Sequence, residues 1–438
     1  MFKINKLANQ LEIISAPISG TKTATVLFIA ATGSRFEDKA VSGLSHFLEH
    51  LFFKGTVRRP NTLAIASELD KAGGEYNAFT GKEYTGFFVK VAAGRLELAL
   101  DVLSDLLLHS TFAAEEIERE KSVVAEELNM YFDNPLYYIE DLFEQCLYGD
   151  TPAGRDTIGS KASIAKISRE KIIDYFSRQY SAPEAVVALA GQVKPAAVKL
   201  VDEYFNKFSK KNYKDKPLTD DRQARPKIIS HFKKTDQAHL SLGVRALPYA
   251  HVNEPAAKLL AMILGGSMSS RLFIELRERR GLAYYVRAHD EAYTDSGYLT
   301  TQAGVPVNKL NQAVEIILSQ YKKLTEELVG AEELSRVKQC LIGRTTLNLE
   351  ASDSLASWYG RQAILFKEQS GSTALSGRTA EKTAKGILTP EKYFARLKKV
   401  SAEQIRQLAG KIFVTEKLNL AVIGPFRKAG EIERKLRL

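Results

Sequence analysis

Two histidines four residues apart, His46 and His50, flank a glutamate, Glu49, in the pentapeptide His-Phe-Leu-Glu-His. On an α-helix, residues i and i+4 lie one above the other on the same face, so both imidazoles could reach one ion. Imidazole and carboxylate ligands without a nearby thiolate favour Zn²⁺. Glu49 is close enough in sequence to reach a water held by that ion. The spacing therefore predicts a zinc site that activates water.

Two of the seven histidines could also fall at this spacing on an exposed helix face that binds nothing. The flanking residues argue against that alternative. Residues 44–53 are apolar at most other positions, which predicts a buried or half-buried helix. Titratable side chains are rarely buried unless they are paired or bound to a metal. Three of them in five positions of an apolar helix therefore favour the metal site.

A catalytic zinc site usually has three protein ligands and one open position, so a further ligand is needed. Residues 115–130 are rich in strong helix formers and predict a long helix. Glu120 and Glu127 are seven residues apart and share a face of it, whereas Glu126 points about 100° away from Glu127 and is expected to be solvated. Most glutamates of so acidic a helix are solvated, and only Glu127 and Glu120 are candidates for the site.

These residues resemble the inverted-zincin peptidases, the family of pitrilysin, insulin-degrading enzyme and the mitochondrial processing peptidase. That family has the order H-x-x-E-H, a glutamate about 77 positions after the second histidine and another glutamate seven positions earlier, which Glu127 and Glu120 match. Its Phe-x-Gly-Thr motif matches residues 53–56, its Asn-Ala strand matches residues 74–80, and a fourth signature matches residues 270–284. The chain resembles most the short single-chain members of bacterial type.

The resemblance implies a zinc-dependent endopeptidase that hydrolyses unfolded or short peptides inside a closed chamber. It implies that His46, His50 and Glu127 bind Zn²⁺ and that Glu49 is the general base that takes a proton from water. Glu120 would orient a ligand or add negative charge around the metal. Both a processing peptidase and a general peptide-degrading enzyme are compatible with these residues.

The resemblance also implies residues that contact the substrate. Asn77, Ala78 and Phe79 would lie in a strand that pairs with the substrate as an added β-strand. Phe53 would line a side-chain pocket, with an ordinary core phenylalanine as the alternative.

Arg277 and Tyr284 form the last motif of the resemblance and would hold the substrate carbonyl or the developing oxyanion opposite the zinc. The two residues are seven apart, and share one helical face if the segment stays helical. The alternative is a surface arginine and a core tyrosine.

Relatives of this length place the second half of the chain across a subunit interface. Because this chain has both the zinc residues and the Arg277 and Tyr284 pair, a homodimer enclosing a chamber is expected, with a heterodimer as the alternative. The rival function is a non-catalytic or partner-dependent peptide-binding subunit of a heterodimeric peptidase. Such members usually have broken ligand sets, whereas the set in this chain is complete, which favours the enzyme.

The chain repeats one plan twice. Residues 166–172 lead through a helix to the apolar run 185–191, and residues 399–405 lead likewise to the apolar run 418–424. The second half carries extra residues, which are expected within 350–390. Strand-like runs that alternate with amphipathic helices predict an α+β fold. The resemblance implies two homologous α/β-roll domains, each a mainly antiparallel sheet with helices packed on it.

The expected domains are a zinc-binding catalytic domain (1–209), a charged, proline-bearing linker (210–226) and an inactive homologous domain with the Arg/Tyr motif (227–438). The zinc helix should recur in the second half at Ala256–Leu264, which has no histidine or glutamate. Only the first half is therefore expected to hold the metal.

Composition excludes several other classes of protein. With 438 residues the chain is too long for one core, and its 45% hydrophobic and 26% charged residues are ordinary for a globular protein. The net charge of +10 comes from scattered lysines and arginines without a nucleic-acid motif, and no run reaches the ~20 apolar residues of a membrane span. Two isolated cysteines, Cys146 and Cys340, and an N-terminus unlike a signal or transit peptide predict a cytoplasmic protein.

Overall fold

The computed structural model describes residues 2–210, 213–371, 386–426 and 435–438. The first half contributes six strands to one sheet: Lys3–Lys6 (β1), Glu12–Pro17 (β2), Thr23–Ala30 (β3), Glu75–Thr80 (β4), Thr85–Ala92 (β5) and Ala185–Gly191 (β6). Their spatial order is β1–β2–β6–β3–β5–β4. Only the β2–β6 pair is parallel, and β4 is an edge strand.

The second half builds a sheet of the same plan from Lys227–Phe232 (β7), Gln237–Arg245 (β8), Tyr285–Ala292 (β9), Gly297–Pro306 (β10) and Leu418–Gly424 (β11). Its order is β7–β11–β8–β10–β9, and only the β7–β11 pair is parallel. Each strand has a counterpart in the first sheet at the same place and with the same direction. The prediction of two homologous, mainly antiparallel α+β units is therefore confirmed.

Helices cover both sheets. Those of the first half are Leu44–Phe52 (α1), Thr62–Lys71 (α2), Leu96–His109 (α3), Ala114–Asp133 (α4), Pro135–Tyr148 (α5), Lys161–Ile164 (α6), Arg169–Gln179 (α7) and Ala197–Phe205 (α8). Those of the second half are Glu254–Gly265 (α9), Leu310–Glu326 (α10), Ala331–Asn348 (α11), Ser352–Gly371 (α12), Pro390–Lys399 (α13) and Ala402–Ile412 (α14). Within the described residues, none of these helices is long and apolar enough to cross a membrane.

The junction between α4 and α5 redirects the chain toward the second half. Pro135 cannot continue α4, because it lacks an N–H, but it suits the first position of a new helix. The side chain of Asn134 accepts a hydrogen bond from the N–H of Leu136 and so caps α5. The new helix leaves the first sheet and packs on the second.

Each half covers the sheet of the other half with one helix. On α5, the ring of Phe143 is buried and lies edge-on to the ring of Tyr298 of β10, with the ring centres 5.5 Å apart. The Phe143 ring also lies close to Gly243 of β8, where a Cβ atom would be only 2.8 Å from it. Conversely, α12 packs on β3 and β6, and Gly360 approaches Ile29 so closely that a Cβ atom would lie 2.8 Å from its side chain. Helix α12 is thus the counterpart of α5, and residues 372–385 of the segment 350–390, in which extra residues are expected, lie outside the described part.

A buried ion-pair network also joins the two halves. Arg35 of the first half lies 2.6 Å from Glu83 and 2.7 Å from Asp295 of the second half, and all three side chains are almost fully buried. Glu83 accepts hydrogen bonds from the N–H and the hydroxyl of Thr294. In the predicted linker, Thr219 donates to Asp295, and the described residues of that segment form neither helix nor strand. The segment is therefore held between the halves rather than spacing them apart.

Truncating the contact between α5 and the second sheet should destabilise the whole chain. We expect Phe143→Ala to lower the free energy of unfolding by about 3–5 kcal/mol, because a fully buried aromatic ring is lost and leaves a cavity. Urea denaturation followed by circular dichroism measures the change. Leu136→Ala, at a partly exposed position of the same helix, is the control and should change stability by less than about 1 kcal/mol. Equal effects of both substitutions would contradict the packing described for α5.

Candidate metal centre

Helix α1 is anchored by its apolar side chains. Phe47, Leu48, Leu51 and Phe52 are each at most 1% exposed. With that face in the core, the helix presents His46, Glu49 and His50 on its other side, where all three are half-buried. The predicted half-buried helix is confirmed.

A buried carboxylate holds the start of α1. The carboxylate of Glu37 accepts hydrogen bonds from the N–H of Gly43 at 2.7 Å and from the N–H of Ser45 at 2.6 Å. The hydroxyl of Ser45 is in turn 2.7 Å from that of Tyr175 on α7. Burial raises the pKa of Glu37 to about 7, although the hydrogen bonds from Ser45 and Gly43 oppose the rise. The sequence did not predict this contact, because Glu37 lies seven positions before the first residue of α1, outside the range of the usual helix-start signals.

Helix α4 runs antiparallel to α1 and brings the predicted third ligand to the histidines. Glu127 lies 3.7 Å from His46 and 3.5 Å from His50, in both cases between a carboxylate oxygen and Nε2. Two helical turns before Glu127 on α4 is Glu120, whose Oε1 lies 2.7 Å from Nδ1 of His50. Glu126 is exposed, as expected, and accepts a hydrogen bond from Asn129.

The contact with Glu120 determines which nitrogen of His50 is free. When Nδ1 donates its proton to Glu120, Nε2 is left with a lone pair directed at Glu127. Lys54, one turn after His50, lies 2.6 Å from the other oxygen of Glu120. Burial alone would raise the pKa of Glu120, but hydrogen bonds from His50 and Lys54 bring it below its usual value. Lys54 is the variable position of the Phe-x-Gly-Thr motif, whose spacing did not predict this contact.

The surroundings of the three candidate ligands shift their pKa values in different directions. Burial, with the neighbouring His50, lowers the pKa of His46 to about 3, so this imidazole is neutral at pH 7, as a metal ligand must be. Burial raises the pKa of Glu127. For His50 burial acts to lower the pKa, yet Glu120, Glu127 and Glu49 together raise it.

Three of these side chains together suit a metal ion. One ligand atom each from His46, His50 and Glu127 lie within 4.8 Å of one another, and they form the only such group of three among the residues that the structure describes. Glu127 Oε2 and His46 Nδ1 are buried without a hydrogen-bond partner. A dication between the donors would satisfy the carboxylate, and two imidazoles with one carboxylate are a donor set that suits Zn²⁺. The residues therefore fit the ion.

Glu49 lies beside this group and has a different partner. Its carboxylate accepts a hydrogen bond from the hydroxyl of Thr80 at the end of β4. Burial raises the pKa of Glu49, and the hydrogen bond from Thr80 opposes the rise. Thr80 was not predicted to belong to the site, although it closes the Asn-Ala-Phe-Thr strand motif.

The predicted substrate-contact residues lie on and beside the edge strand β4. Asn77 is exposed, and its side-chain oxygen accepts the N–H of Ala78 at 2.8 Å. Phe79 is half-buried and packs edge-on against Tyr84. Phe53 is half-buried at the rim of the first core, so it is neither wholly core nor wholly exposed.

Arg277 and Tyr284 do not share a helical face, because the short π-helix Phe273–Glu278 ends between them. They are nevertheless paired: the guanidinium of Arg277 donates to the carbonyl of Tyr284 at 2.8 Å and lies 5.5 Å from the centre of its ring. Tyr284 is 76% exposed, so the alternative of a core tyrosine is wrong. The hydrogen bonds and ring contacts described for this pair all come from the second half.

Comparisons with known proteins give this site its context. Residues 12–161 match the model described as "Insulinase (Peptidase family M16)", and residues 166–341 match the "Peptidase M16 inactive domain". The chain is 35% identical to an uncharacterized zinc protease of Bacillus subtilis over 397 residues, which cover 90% of this chain and 91% of that protein. The chain belongs to peptidase family M16.

Other members of the family support the same conclusion. An uncharacterized zinc protease of Rickettsia felis is 32% identical over 97% of this chain and 98% of its own length. Among solved structures, a protease from Helicobacter pylori superposes with a TM-score of 0.87 at 22% identity, over 97% of this chain and 99% of that chain. The last likeness concerns the fold alone, and it extends over both halves.

A graded series of substitutions on α4 tests the ligand set. We expect Glu127→Gln to weaken Zn²⁺ binding by more than the ~10–100-fold that loss of an outer-shell partner costs, because a charged donor is lost. Glu120→Gln should fall within that range, and the exposed Glu126→Gln should bind like the parent protein. Competition against a chromophoric chelator measures the three affinities. Equal losses in the Glu126 and Glu127 variants would place the wrong face of α4 at the metal.

Proposed function

We propose that this chain is a zinc-dependent endopeptidase that hydrolyses unfolded or short peptides. The observation that carries the proposal is the convergence of His46, His50 and Glu127 on one point with Glu49 beside them. The relatives named zinc proteases, which align over nearly the whole chain, support it. Models of the family match both the half that contains the candidate metal ligands and the half that contains Arg277 and Tyr284.

His46, His50 and Glu127 would hold Zn²⁺, which when bound polarises a carbonyl and lowers the pKa of water. Glu49 would accept a proton from the attacking water on the carboxylate oxygen that Thr80 does not occupy and later deliver it to the leaving amine nitrogen. A raised pKa suits this exchange, because the carboxylate must both gain and lose the proton. Glu120, neutralised by Lys54, would keep His50 in the required orientation.

The edge strand β4 would bind the substrate backbone. An extended peptide can add to an exposed sheet edge through main-chain hydrogen bonds, which need no particular side chain. The β4 edge ends at Thr80, which contacts Glu49, so a peptide bound along Asn77–Phe79 would run past the general base. The N–H of Ala78 donates to the side chain of Asn77, and it could donate to a substrate carbonyl once that side chain turns away.

Arg277 and Tyr284 would serve the site of a second copy of the chain. The exposure of Tyr284 and the absence, in the described residues, of hydrogen bonds, ion pairs and ring contacts between this pair and the first half support an arrangement across a dimer. The chemistry needs a donor near the developing oxyanion, and a phenol held by a guanidinium can supply it. The homodimer enclosing a chamber is therefore part of the proposal, with a heterodimer as the alternative.

The role of the general base can be tested directly. We expect Glu49→Gln to retain zinc, because Glu49 is not a ligand, and to lower peptide cleavage by the ~10²–10⁴-fold typical of a lost general base. Zinc content by atomic absorption and initial rates on an unfolded peptide panel give both quantities. Glu126→Gln serves as the charge-matched control. A Glu49 variant that cleaves like the parent protein would exclude this residue as the base.

A mixing experiment tests the dimer. Arg277→Ala should keep its zinc and lose activity, and mixing it with Glu49→Gln should restore activity through mixed dimers that contain one complete site. With free subunit exchange, a symmetric dimer should recover roughly a quarter of the parent rate, because half of the dimers are mixed and each has one working site of two. Differently tagged chains report the exchange. Exchange without recovery would mean that Arg277 serves the zinc of its own chain or has no part in the reaction.

A further inference from the structure

The last residue of β4 touches the candidate general base. The hydroxyl of Thr80 donates a hydrogen bond to one carboxylate oxygen of Glu49. A hydrogen bond to one oxygen restricts the rotation of a carboxylate, and it therefore decides which way the other oxygen points. A reacting group must be held within about 0.5 Å of its productive position by the side chains that support it. The geometry of Glu49 thus depends on whatever fixes the end of β4.

The turn that follows β4 is held tightly by the backbone around it. Residues 81–84, here called the β4–β5 turn, are closed by a hydrogen bond of 2.9 Å from the N–H of Gly81 to the carbonyl of Tyr84. The N–H of Ser34 donates to the carbonyl of Gly81 at 3.2 Å. Gly33 permits this approach, because a Cβ atom there would lie only 2.3 Å from the same carbonyl oxygen.

Both charged side chains of the β4–β5 turn are buried and lead to the second half. The carboxylate of Glu83 accepts hydrogen bonds from the N–H and the hydroxyl of Thr294, each at 2.8 Å. The ammonium group of Lys82 lies 3.0 Å from Glu144 of α5, whose carboxylate accepts a hydrogen bond from Tyr293. Tyr293 and Thr294 belong to the turn between β9 and β10, which is the counterpart of the β4–β5 turn. The equivalent turns of the two halves are therefore joined.

Arg35 completes this junction. Its N–H donates to the carbonyl of Lys82 at 3.0 Å, while its guanidinium lies 2.6 Å from Glu83 and 2.7 Å from Asp295. The side chains of Arg35, Glu83 and Asp295 are at most 4% exposed. Removing one member of a buried ion pair leaves the other charge without compensation, so the remaining groups shift. Loss of the Asp295 charge should therefore disturb the β4–β5 turn as well as the contact between the halves.

We propose that the second half positions the general base of its own chain, because Thr294 and Asp295 hold the β4–β5 turn and so keep Thr80 against Glu49. This inference rests on the proposed function. In the proposed dimer the second half serves the site of another copy through Arg277, whereas here it acts within one chain. Thr80 and Asp295 are positioning residues that do not touch the substrate.

Removing one hydroxyl tests the contact with the base. Thr80→Val keeps the shape of the side chain and should retain zinc, because Thr80 is not a candidate ligand. It should lower kcat by about 10–100-fold, which corresponds to the loss of a hydrogen bond to a charged group, and change KM by less than about twofold. Thr80→Ser restores the hydroxyl and should recover most of the rate. A parent-like rate in Thr80→Val, or equal losses in both variants, would exclude this role for the hydroxyl.

The contribution of the second half requires a double-mutant cycle. Asp295→Asn should retain zinc and lower kcat by about 2–30-fold, the size of effects that pass through a packed network. Combined with Thr80→Val it should add no further loss, because it acts through Thr80, whereas independent effects multiply. Thr294→Val, which removes a hydroxyl bonded to Glu83, takes its place if Asp295→Asn does not fold. Multiplied losses, or a parent-like rate in the single variant, would overturn the inference.

Asp290→Asn is the matched control for the cycle. It makes the same change on β9, where the carboxylate of Asp290 lies 3.2 Å from Lys258 of the second half rather than at the junction. It should leave kcat unchanged, and a loss equal to that of Asp295→Asn would mean that any lost charge in this half has the same effect.

Mixing distinguishes an effect within one chain from an effect across the dimer. Asp295→Asn mixed with Glu49→Gln should give no recovery, because each substitution impairs the site of its own chain. Arg277→Ala mixed with the same Glu49→Gln protein is the contrasting case, in which recovery is expected. Recovery in the Asp295→Asn mixture would assign Asp295 to the site of the second copy and overturn the inference.

Hydrogen exchange separates this inference from the proposed activity. Amides of the β4–β5 turn should exchange faster in Asp295→Asn than in the parent protein, because the turn opens more often, and should be unchanged in Asp290→Asn. If the parent protein cleaves no peptide, the proposed function fails, and the exchange rates still decide whether the second half holds the turn. Unchanged exchange in Asp295→Asn would overturn the inference.

Discussion

The antiparallel packing of α1 against α4 is the constraint on which the site depends. It gathers two imidazoles and two carboxylates into a half-buried space, where every charge needs a partner. Lys54 balances Glu120, and His50 joins that pair through Nδ1. Among the described residues no lysine or arginine pairs with Glu127, and its buried Oε2 has no hydrogen-bond partner. A dication held by Glu127 and the two imidazoles would complete the balance, so the charge distribution favours metal binding as strongly as the spacing of the donors does.

The elements around α1 and α4 keep this arrangement rigid. Glu37 secures the first turn of α1, and Thr80 fixes the carboxylate of Glu49 at the other side of the helix. Farther away, the exchange of α5 and α12 between the sheets joins the two halves into one body. The buried contacts of Arg35 with Glu83 and Asp295 add polar links that require a single relative position of the halves. A chain built in this way would present its candidate metal site and Arg277 in a fixed relation, as the proposed homodimer requires.

Much of the fold follows from local sequence pattern. The alternating apolar runs locate the strands, and the helix formers of 115–130 locate α4, because these signals depend on neighbours a few residues apart. The offset of seven residues placed Glu120 and Glu127 on one face for the same reason. The exchange of α5 and α12 could not be predicted, since an amphipathic pattern gives the buried face of a helix but not the sheet that it covers. Thr80 and Lys54 were missed because their partners lie far away in sequence, and no spacing rule relates a hydroxyl or an ammonium group to a distant carboxylate.

The pairing of Arg277 with Tyr284 illustrates a second limit. Their separation of seven residues suggested a helix, yet the π-helix ends at Glu278 and the pair forms across a turn. The candidate metal donors thus follow from local spacing, whereas the groups that surround them depend on tertiary packing.

Anomalous diffraction at the zinc edge, from crystals of the protein purified without chelator, tests the central claim most directly. We expect one zinc ion per chain, bonded to Nε2 of His46, Nε2 of His50 and the carboxylate of Glu127, and none in the second half. An ion bound elsewhere, or crystals from zinc-supplemented protein without an anomalous peak between these three side chains, would contradict a zinc centre formed by α1 and α4.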